Sequence, residues 1–172
     1  MFEFDFTQIL LGIPGLIIAM TFHEYAHARV AVALGDFTPR LMGRLTLDPR
    51  AHIDPVGLIM LFLVRFGWAK PVMINPRNFR NMRQGEILVA LAGPASNLVV
   101  AFFVVLFTIL YNYFGLHTSE GFFMVMKLMG IINVNFALFN IMPLPPLDGS
   151  RILMALLPGR WVYELLRLER YM

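Results

Sequence analysis

Residues 9–34 read ILLGIPGLIIAMTFHEYAHARVAVAL, an apolar run whose second half carries ionisable side chains. The run is long enough to cross a bilayer, because a spanning helix needs about 20 residues. Each charge held at mid-membrane costs about 2.5–3.5 kcal/mol on insertion scales, so ionisable groups at this depth are functional by default. His23, Glu24 and His27 all lie in this run. The stretch therefore predicts a membrane helix that carries a functional site.

The whole chain has the composition of a membrane protein. Of its 172 residues, 58% are hydrophobic and 15% are charged, whereas a soluble domain averages roughly 25% charged. The length favours one domain over residues 1–172. The absence of cysteine excludes disulfides and thiolate metal sites. Basic residues without interleaved aromatic residues argue against nucleic acid as a partner and favour the lipid bilayer.

Two later apolar segments also predict spanning helices. Residues 87–114 are long enough to span with some tilt, and residues 121–142 are about one bilayer long. With residues 9–34 they give about three spanning helices. We therefore expect an all-α membrane protein.

The connecting segments predict smaller elements. Residues 56–66 are apolar but too short to span, which favours a re-entrant segment. Residues 36–55 form a loop, and the partial alternation of leucines with polar residues at 40–47 predicts a small membrane-associated β-ribbon. Residues 143–157 begin with a proline-rich Asp-Gly loop and end in a short helix.

Charge sets the expected orientation in the cell membrane. Residues 65–83 carry five basic side chains and no acid, and the basic C-terminal tail contains Arg151, Arg160, Arg167 and Arg170. Both should be cytoplasmic by the positive-inside rule. Glu3 and Asp5 lead us to expect that the N-terminus is not a cleavable signal peptide. It should lie outside with residues 111–120, where His117 is expected to be solvated. This multi-pass topology places the functional groups near the cytoplasmic side.

The spacing of His23 and His27 predicts a metal site. On a helix, side chains four residues apart share a face and are about 6 Å from each other, so two imidazoles can hold one ion. Glu24 flanks that face and is placed to take a proton from an activated water molecule. Zinc suits imidazole and carboxylate ligands.

A catalytic zinc ion needs a third protein ligand and one open position. The available side chains are His52, Asp48, Asp54, Glu86 and Asp148. Asp148 is favoured because it follows a spanning segment in irregular backbone, which membranes tolerate only inside protein or along a cavity. The alternative for Asp148 is an ordinary surface turn, and His52 is more simply a local hydrogen-bonding residue.

The sequence resembles the site-2 protease family of intramembrane zinc metalloproteases, in its compact form without PDZ or CBS domain. Residues 23–27 resemble the zinc motif of the family. Residues 140–149, Asn-Ile-Met-Pro-Leu-Pro-Pro-Leu-Asp-Gly, resemble its second signature, Asn-x-x-Pro-x-x-x-x-Asp-Gly. Weaker likenesses fall at residues 93–97, 43–49 and 66–72. Compact members usually continue into at least one more spanning segment, so a C-terminal truncation is an open alternative.

The resemblance implies a role for each matching residue. One Zn²⁺ per chain would be held by His23, His27 and Asp148, with Glu24 as the general base. The candidate hydrogen-bond donors to the substrate or oxyanion are Asn97, Asn135 and Asn140. For each asparagine the alternative is a hydrogen bond between helices. The implied substrates are membrane-spanning protein segments, which the β-ribbon would hold as an added strand.

The sequence is also compatible with three other functions. A different class of membrane zinc protease would use a glutamate as third ligand, for which Glu86 is the main carboxylate. A channel or metal transporter would use the same side chains as an ion path, although such proteins tend to show repeated halves. A catalytically inactive scaffold would bind membrane partners.

Overall fold

A computed structural model describes residues 6–64, 68–116, 119–158 and 161–162. Within these ranges the chain is mostly helical. Its α-helices are α1 (Phe6–Ala33), α2 (Thr38–Leu41), α3 (Pro55–Val64), α4 (Met82–Tyr113), α5 (Glu120–Ile141) and α6 (Asp148–Leu156). Single 3₁₀ turns lie at Pro49–Ala51 and Pro76–Asn78.

Three of these helices are long and apolar enough to cross a membrane: α1, α4 and α5. This confirms the prediction of an all-α protein with three candidate spans. Two helix starts differ slightly from the hydropathy pattern, because polar side chains cap them. Asn81 accepts a hydrogen bond from the backbone of Gln84, so α4 begins five residues earlier than predicted. Ser119 caps α5 in the same way.

The three long helices pack against one another through small side chains. Ala19 and Ala28 of α1, Ala101 of α4 and Ala137 of α5 are buried at their contacts. Small residues let helix backbones approach closely where lipid removes the usual hydrophobic drive for association. Large side chains such as Phe102 instead point outward. This pattern is the expected one for a protein surrounded by lipid.

The β-ribbon predicted at residues 40–47 is wrong. The chain is helical up to Leu41, because Pro39 is fixed in a helical φ at the first turn of α2, and residues 42–47 form turns and irregular backbone. Gly43, at φ +68°, then turns the backbone in a way that other residues rarely adopt. The described residues contain no sheet, and the one isolated β-bridge joins Ile53 to Ala69.

The apolar segment at residues 56–66 forms the helix α3. Asp54 begins it by accepting hydrogen bonds from the backbone N–H groups of Val56 and Gly57, at 2.8 and 3.2 Å. The entry of this helix into the membrane and its return stay a prediction, and residues 65–66 lie outside the described ranges.

A buried carboxylate anchors the loop between α3 and α4 to the end of α1. Asp36 is fully buried and accepts hydrogen bonds from the Thr38 hydroxyl (2.6 Å), the Asn75 backbone N–H (2.7 Å) and the Asn78 side chain (2.7 Å). Burial raises the pKa of Asp36, but these hydrogen bonds outweigh it and hold the pKa below its ordinary value. Asp36 thus fixes residues 75–78, the end of the segment that begins at residue 68.

Several residues used for the orientation lie outside the described ranges. They are Glu3, Asp5, Arg65, His117, Arg160, Arg167 and Arg170. The cytoplasmic orientation therefore stays a prediction.

Candidate metal centre

His23 and His27 lie one turn apart on the face of α1 that contacts α4. Their rings are 4.5 Å apart between centroids and nearly perpendicular. Only 3% of His23 and 6% of His27 are exposed. The helix spacing places both imidazoles in the protein interior, where each polar ring atom needs a partner.

The inner nitrogen of each ring has a hydrogen-bond acceptor on α4. His23 Nδ1 lies 2.8 Å from Asn97 Oδ1, and His27 Nδ1 lies 2.7 Å from the carbonyl oxygen of Val89. Both acceptors lack a proton to donate in these contacts, so both Nδ1 atoms carry one. In the neutral rings, each Nε2 is then left with a free lone pair.

The orientation of Asn97 is itself fixed by hydrogen bonds. Its amide nitrogen donates to the carbonyl oxygen of Ala19 at 2.9 Å and to Asn133 Oδ1 at 3.0 Å. Asn133 in turn donates to the carbonyl oxygen of Met129 at 2.9 Å. With both amide donors used in this way, the Asn97 oxygen must face His23, which selects the tautomer of that ring.

Asp148 reaches the two imidazoles from the first turn of α6. Its Oδ2 lies 3.0 Å from His23 Nε2 and 3.1 Å from His27 Nε2. The close approach depends on Gly149, because a Cβ at that position would collide with the carbonyl oxygens of Ile141 and Met142.

The three facing atoms fit a divalent metal. Asp148 Oδ2 is buried without a hydrogen-bond partner, since the nearest nitrogens present lone pairs and not protons. In a tetrahedral zinc site with bonds of about 2.0–2.2 Å, neighbouring ligand atoms lie about 3.3 Å apart, close to the distances found here. His23, His27 and Asp148 form a group that could hold a metal ion, and a shared cation relieves the repulsion between their lone pairs.

Glu24 lies beside this group without belonging to it. Its Oε2 accepts a hydrogen bond of 3.0 Å from the backbone N–H of Val72. Val72 lies in the loop that Asp36 anchors, so the position of the Glu24 carboxylate depends on that loop. The arrangement leaves a partly buried carboxylate next to the metal-binding atoms.

Two cavities of different character meet at the site. One, of about 170 Å³, is lined by His27, Glu86, Asp148 and Arg151 among others. The other, of about 290 Å³, is largely apolar and is lined by residues such as Ile13, Ile17, Met20, Trp68, Phe136 and Phe139. His23, Glu24 and Asn140 border both cavities. The site therefore has one polar approach and one apolar approach.

Comparison with known proteins identifies the family. The sequence model of peptidase family M50 matches residues 111–164. YwhC of Bacillus subtilis, provisionally named a zinc metalloprotease, is 40% identical over 160 residues, which cover 91% of this chain and 73% of YwhC. The chain belongs to peptidase family M50, the site-2 protease family. It is a membrane zinc metalloprotease.

More distant family members are also longer than this chain. Rip2 of Mycolicibacterium smegmatis and Rip2 of Mycobacterium tuberculosis H37Rv carry the same provisional name and are 32% and 31% identical over 145 residues. The match covers 81% of this chain and about half (54%) of each Rip2. No solved structure matches the chain. Family membership favours the protease over the transporter and the inactive scaffold.

The structure separates the three asparagines that are candidate hydrogen-bond donors to a substrate. Asn140 borders both cavities, and its amide donates to the carbonyl oxygen of Phe136 at 2.9 Å. Asn97 is fully buried behind His23 and does not border either cavity. Asn135 is exposed and lines a separate groove between α4 and α5. Of the three, only Asn140 lines the cavities beside the metal-binding group.

The remaining ligand candidates have other contacts. His52 is fully buried, and its Nε2 bonds the carbonyl oxygen of Thr46 at 2.8 Å. Asp48 and Asp54 accept hydrogen bonds from nearby backbone N–H groups. Glu86 borders the polar cavity but is not in the metal-binding group. Sequence reasoning missed Asn133, whose signal was an amide inside an apolar span.

Proposed function

We propose that this protease hydrolyses peptide bonds within or near transmembrane segments of other membrane proteins. His23, His27 and Asp148 hold one zinc ion, and Glu24 is the general base. The observation that carries the proposal is the convergence of two Nε2 lone pairs on a buried carboxylate oxygen that has no hydrogen-bond partner.

The proposed ligand set suits a catalytic zinc site. Three protein ligands leave a fourth position open, as catalytic zinc sites require. A bound zinc ion supplies Lewis-acid activation of water and of the scissile carbonyl group. Glu24 accepts the proton of the attacking water and then delivers it to the leaving amine. The Val72 N–H holds the Glu24 carboxylate in place for both transfers.

Asn140 is the proposed contact with the substrate. It lies where the polar and apolar cavities meet, beside His23 and Glu24. One of its amide protons bonds the carbonyl oxygen of Phe136, so the other is available to a substrate carbonyl oxygen. A donor aimed at developing negative charge lowers the barrier to acyl transfer.

The two cavities suit the two reactants. A membrane-spanning substrate is apolar, and it would enter through the apolar cavity between α1, α3 and α5. Water would enter through the polar cavity, which we assign to the cytoplasmic side. The exposed Arg151 lines this cavity, and the exposed Arg77 and Arg80 are next in sequence to its lining residues Pro76 and Phe79. A helical substrate must unwind before cleavage, because its carbonyl groups are satisfied internally. Pro71, Val72 and Ile74 border the polar cavity and would contact the unwound backbone.

The test uses purified protein in liposomes with a labelled membrane-segment substrate. Glu24→Gln should keep its zinc while cleavage falls by about 100-fold or more, the size of a lost general base. Asp148→Ala should lose zinc, whereas Glu86→Ala should keep it. Normal turnover by Glu24→Gln would remove Glu24 from the mechanism. If Asp148→Ala retained zinc and Glu86→Ala lost it, Glu86 would be the third ligand in place of Asp148.

A further inference from the structure

The helix that carries Asp148 is fixed at both ends by contacts outside itself. α6 has nine residues and Asp148 is its first. Its N-terminal end is fixed by the tight packing of Gly149 against the end of α5. An isolated helix of this length is marginal in water, so these outside contacts determine where α6 lies.

Arg83 makes the contact at the other end of α6. Its Nε bonds the carbonyl oxygen of Ala155, and its Nη2 donates to the carbonyl oxygen of Leu156 at 2.6 Å. The last carbonyl groups of a helix have no partner within the helix and carry its partial negative charge. The planar guanidinium group can donate to two such acceptors at once, which the single ammonium group of lysine does less well.

Arg83 belongs to the same helix that orients both histidines. On α4, Asn97 accepts the hydrogen bond of His23, and the Val89 carbonyl group accepts that of His27. Arg83 lies in the first turn of α4 and holds α6. Among the described residues, α4 contributes no metal-binding atom. It nevertheless contacts both imidazole rings and α6, the helix that carries Asp148.

We propose that Arg83 is a positioning residue for Asp148, so that α4 sets the relative placement of all three ligands. The inference rests on the proposed function, because it takes Asp148 as a ligand. Metal–ligand distances tolerate deviations of about 0.2 Å. A rotation of α6 about its Gly149 contact would turn the Asp148 carboxylate relative to the two imidazole rings. Arg83 prevents this rotation by fixing the far end of the helix.

The chain offers a matched control in Arg80. It lies three residues before Arg83 and is exposed, and the described part of the structure gives it no hydrogen bond or ion pair. Removing Arg80 therefore deletes the same charge from the same region without releasing α6. Any effect specific to Arg83 must come from its contact with the two carbonyl groups.

The experiment measures zinc affinity by competition with a chelator for purified wild type, Arg83→Ala, Arg83→Lys, Arg80→Ala and Asp148→Ala. Thermal unfolding of the metal-free proteins is measured in parallel. We expect Arg83→Ala to bind zinc about tenfold more weakly, the usual size of a lost supporting contact. Arg83→Lys should lose less, and Arg80→Ala should stay within about twofold of wild type, as exposed charges do.

The outcomes separate this inference from the proposed function. Wild-type zinc affinity in Arg83→Ala, with or without a lower unfolding temperature, would reduce Arg83 to a structural role and overturn the inference. Equal losses in Arg80→Ala and Arg83→Ala would also overturn it, since charge alone would explain them. If Arg83→Ala does not fold, the comparison of Arg83→Lys with Arg80→Ala decides. Undiminished zinc binding by Asp148→Ala would refute the ligand assignment itself and the inference with it.

Discussion

Replacing Gly93 with alanine tests whether the metal centre depends on the absence of a side chain. Gly93 lies in α4, directly against both imidazole rings. A Cβ added there would lie 2.5 Å from His27 Nε2 and 2.7 Å from His23 Nε2. Carbon contacts are comfortable at about 3.5 Å, so the rings would have to retreat by about 1 Å.

That retreat would displace the two proposed ligand rings. The rings are held by the hydrogen bonds from His23 to Asn97 and from His27 to Val89, so moving them breaks or strains these contacts. A displacement of about 1 Å is several times the tolerance of about 0.2 Å for metal ligands. We expect zinc affinity to fall by about tenfold to a hundredfold and cleavage by about a hundredfold.

The change also acts on stability, in two opposite directions. Alanine is favoured over glycine by about 1 kcal/mol inside a helix, whereas crowding the packed rings costs about 1–3 kcal/mol, so metal-free Gly93→Ala should lose no more than about 2 kcal/mol of stability and remain folded. The assay is zinc competition and substrate cleavage in nanodiscs, with thermal unfolding of the metal-free protein. Gly130→Ala is the matched control, because its Cβ would meet Val104 at an ordinary 3.7 Å. Undisturbed zinc binding by Gly93→Ala would refute the placement of the two rings.

Three further changes probe the surroundings of the site. Asn97→Leu removes the acceptor of His23 Nδ1 and should weaken zinc binding about tenfold in chelator competition; an unchanged affinity would show that Asn97 does not orient the ring. Val72→Pro removes the backbone N–H that donates a hydrogen bond to Glu24, so cleavage should fall about tenfold while zinc content stays constant. Val72→Ala should retain both cleavage and zinc. Asp36→Asn should lower the free energy of unfolding by about 2 kcal/mol at neutral pH. Because folding lowers the pKa of Asp36, its contribution is present above the unfolded pKa of about 3.9 and is lost as pH falls through the folded pKa. The stability difference between wild type and Asp36→Asn should therefore be constant from about pH 5 to 7 and shrink below about pH 4; a difference that grows in acid would contradict the assignment.

Hydropathy was sufficient to predict the membrane helices, because in lipid the backbone must satisfy its own hydrogen bonds and long apolar runs have few alternatives to a helix. The starts of the helices were harder to predict, because a single capping side chain such as Asn81 extends α4 beyond its apolar part. The β-ribbon failed for a local reason. Three leucines in partial alternation are weak evidence, and the fixed φ of Pro39 together with the turn at Gly43 outweighed them.

The candidate site likewise has features that the sequence predicts and features that it does not. The placement of His23 and His27 on one face follows from helix periodicity alone. Their orientation does not, because it depends on which backbone and side-chain oxygens of α4 lie opposite, and a carbonyl group such as that of Val89 has no signature in the sequence. The burial of Asn97 likewise depends on how α1, α4 and α5 pack, so the sequence could not separate its role from that of Asn140.

The meeting of the two cavities accounts for the position of Glu24. Hydrolysis of a membrane-spanning segment requires water and an apolar chain to reach the same atoms, although each is excluded from the surroundings of the other. A base buried among the ligands would be cut off from water, and a base on the lipid face would lose its charge. Glu24 follows His23 by one residue, which turns it about 100° around α1 from the ligand face and brings it to the border of both cavities. The Val72 N–H holds the carboxylate there, so about 100° of rotation around α1 separates the proposed metal-binding face from the proposed base.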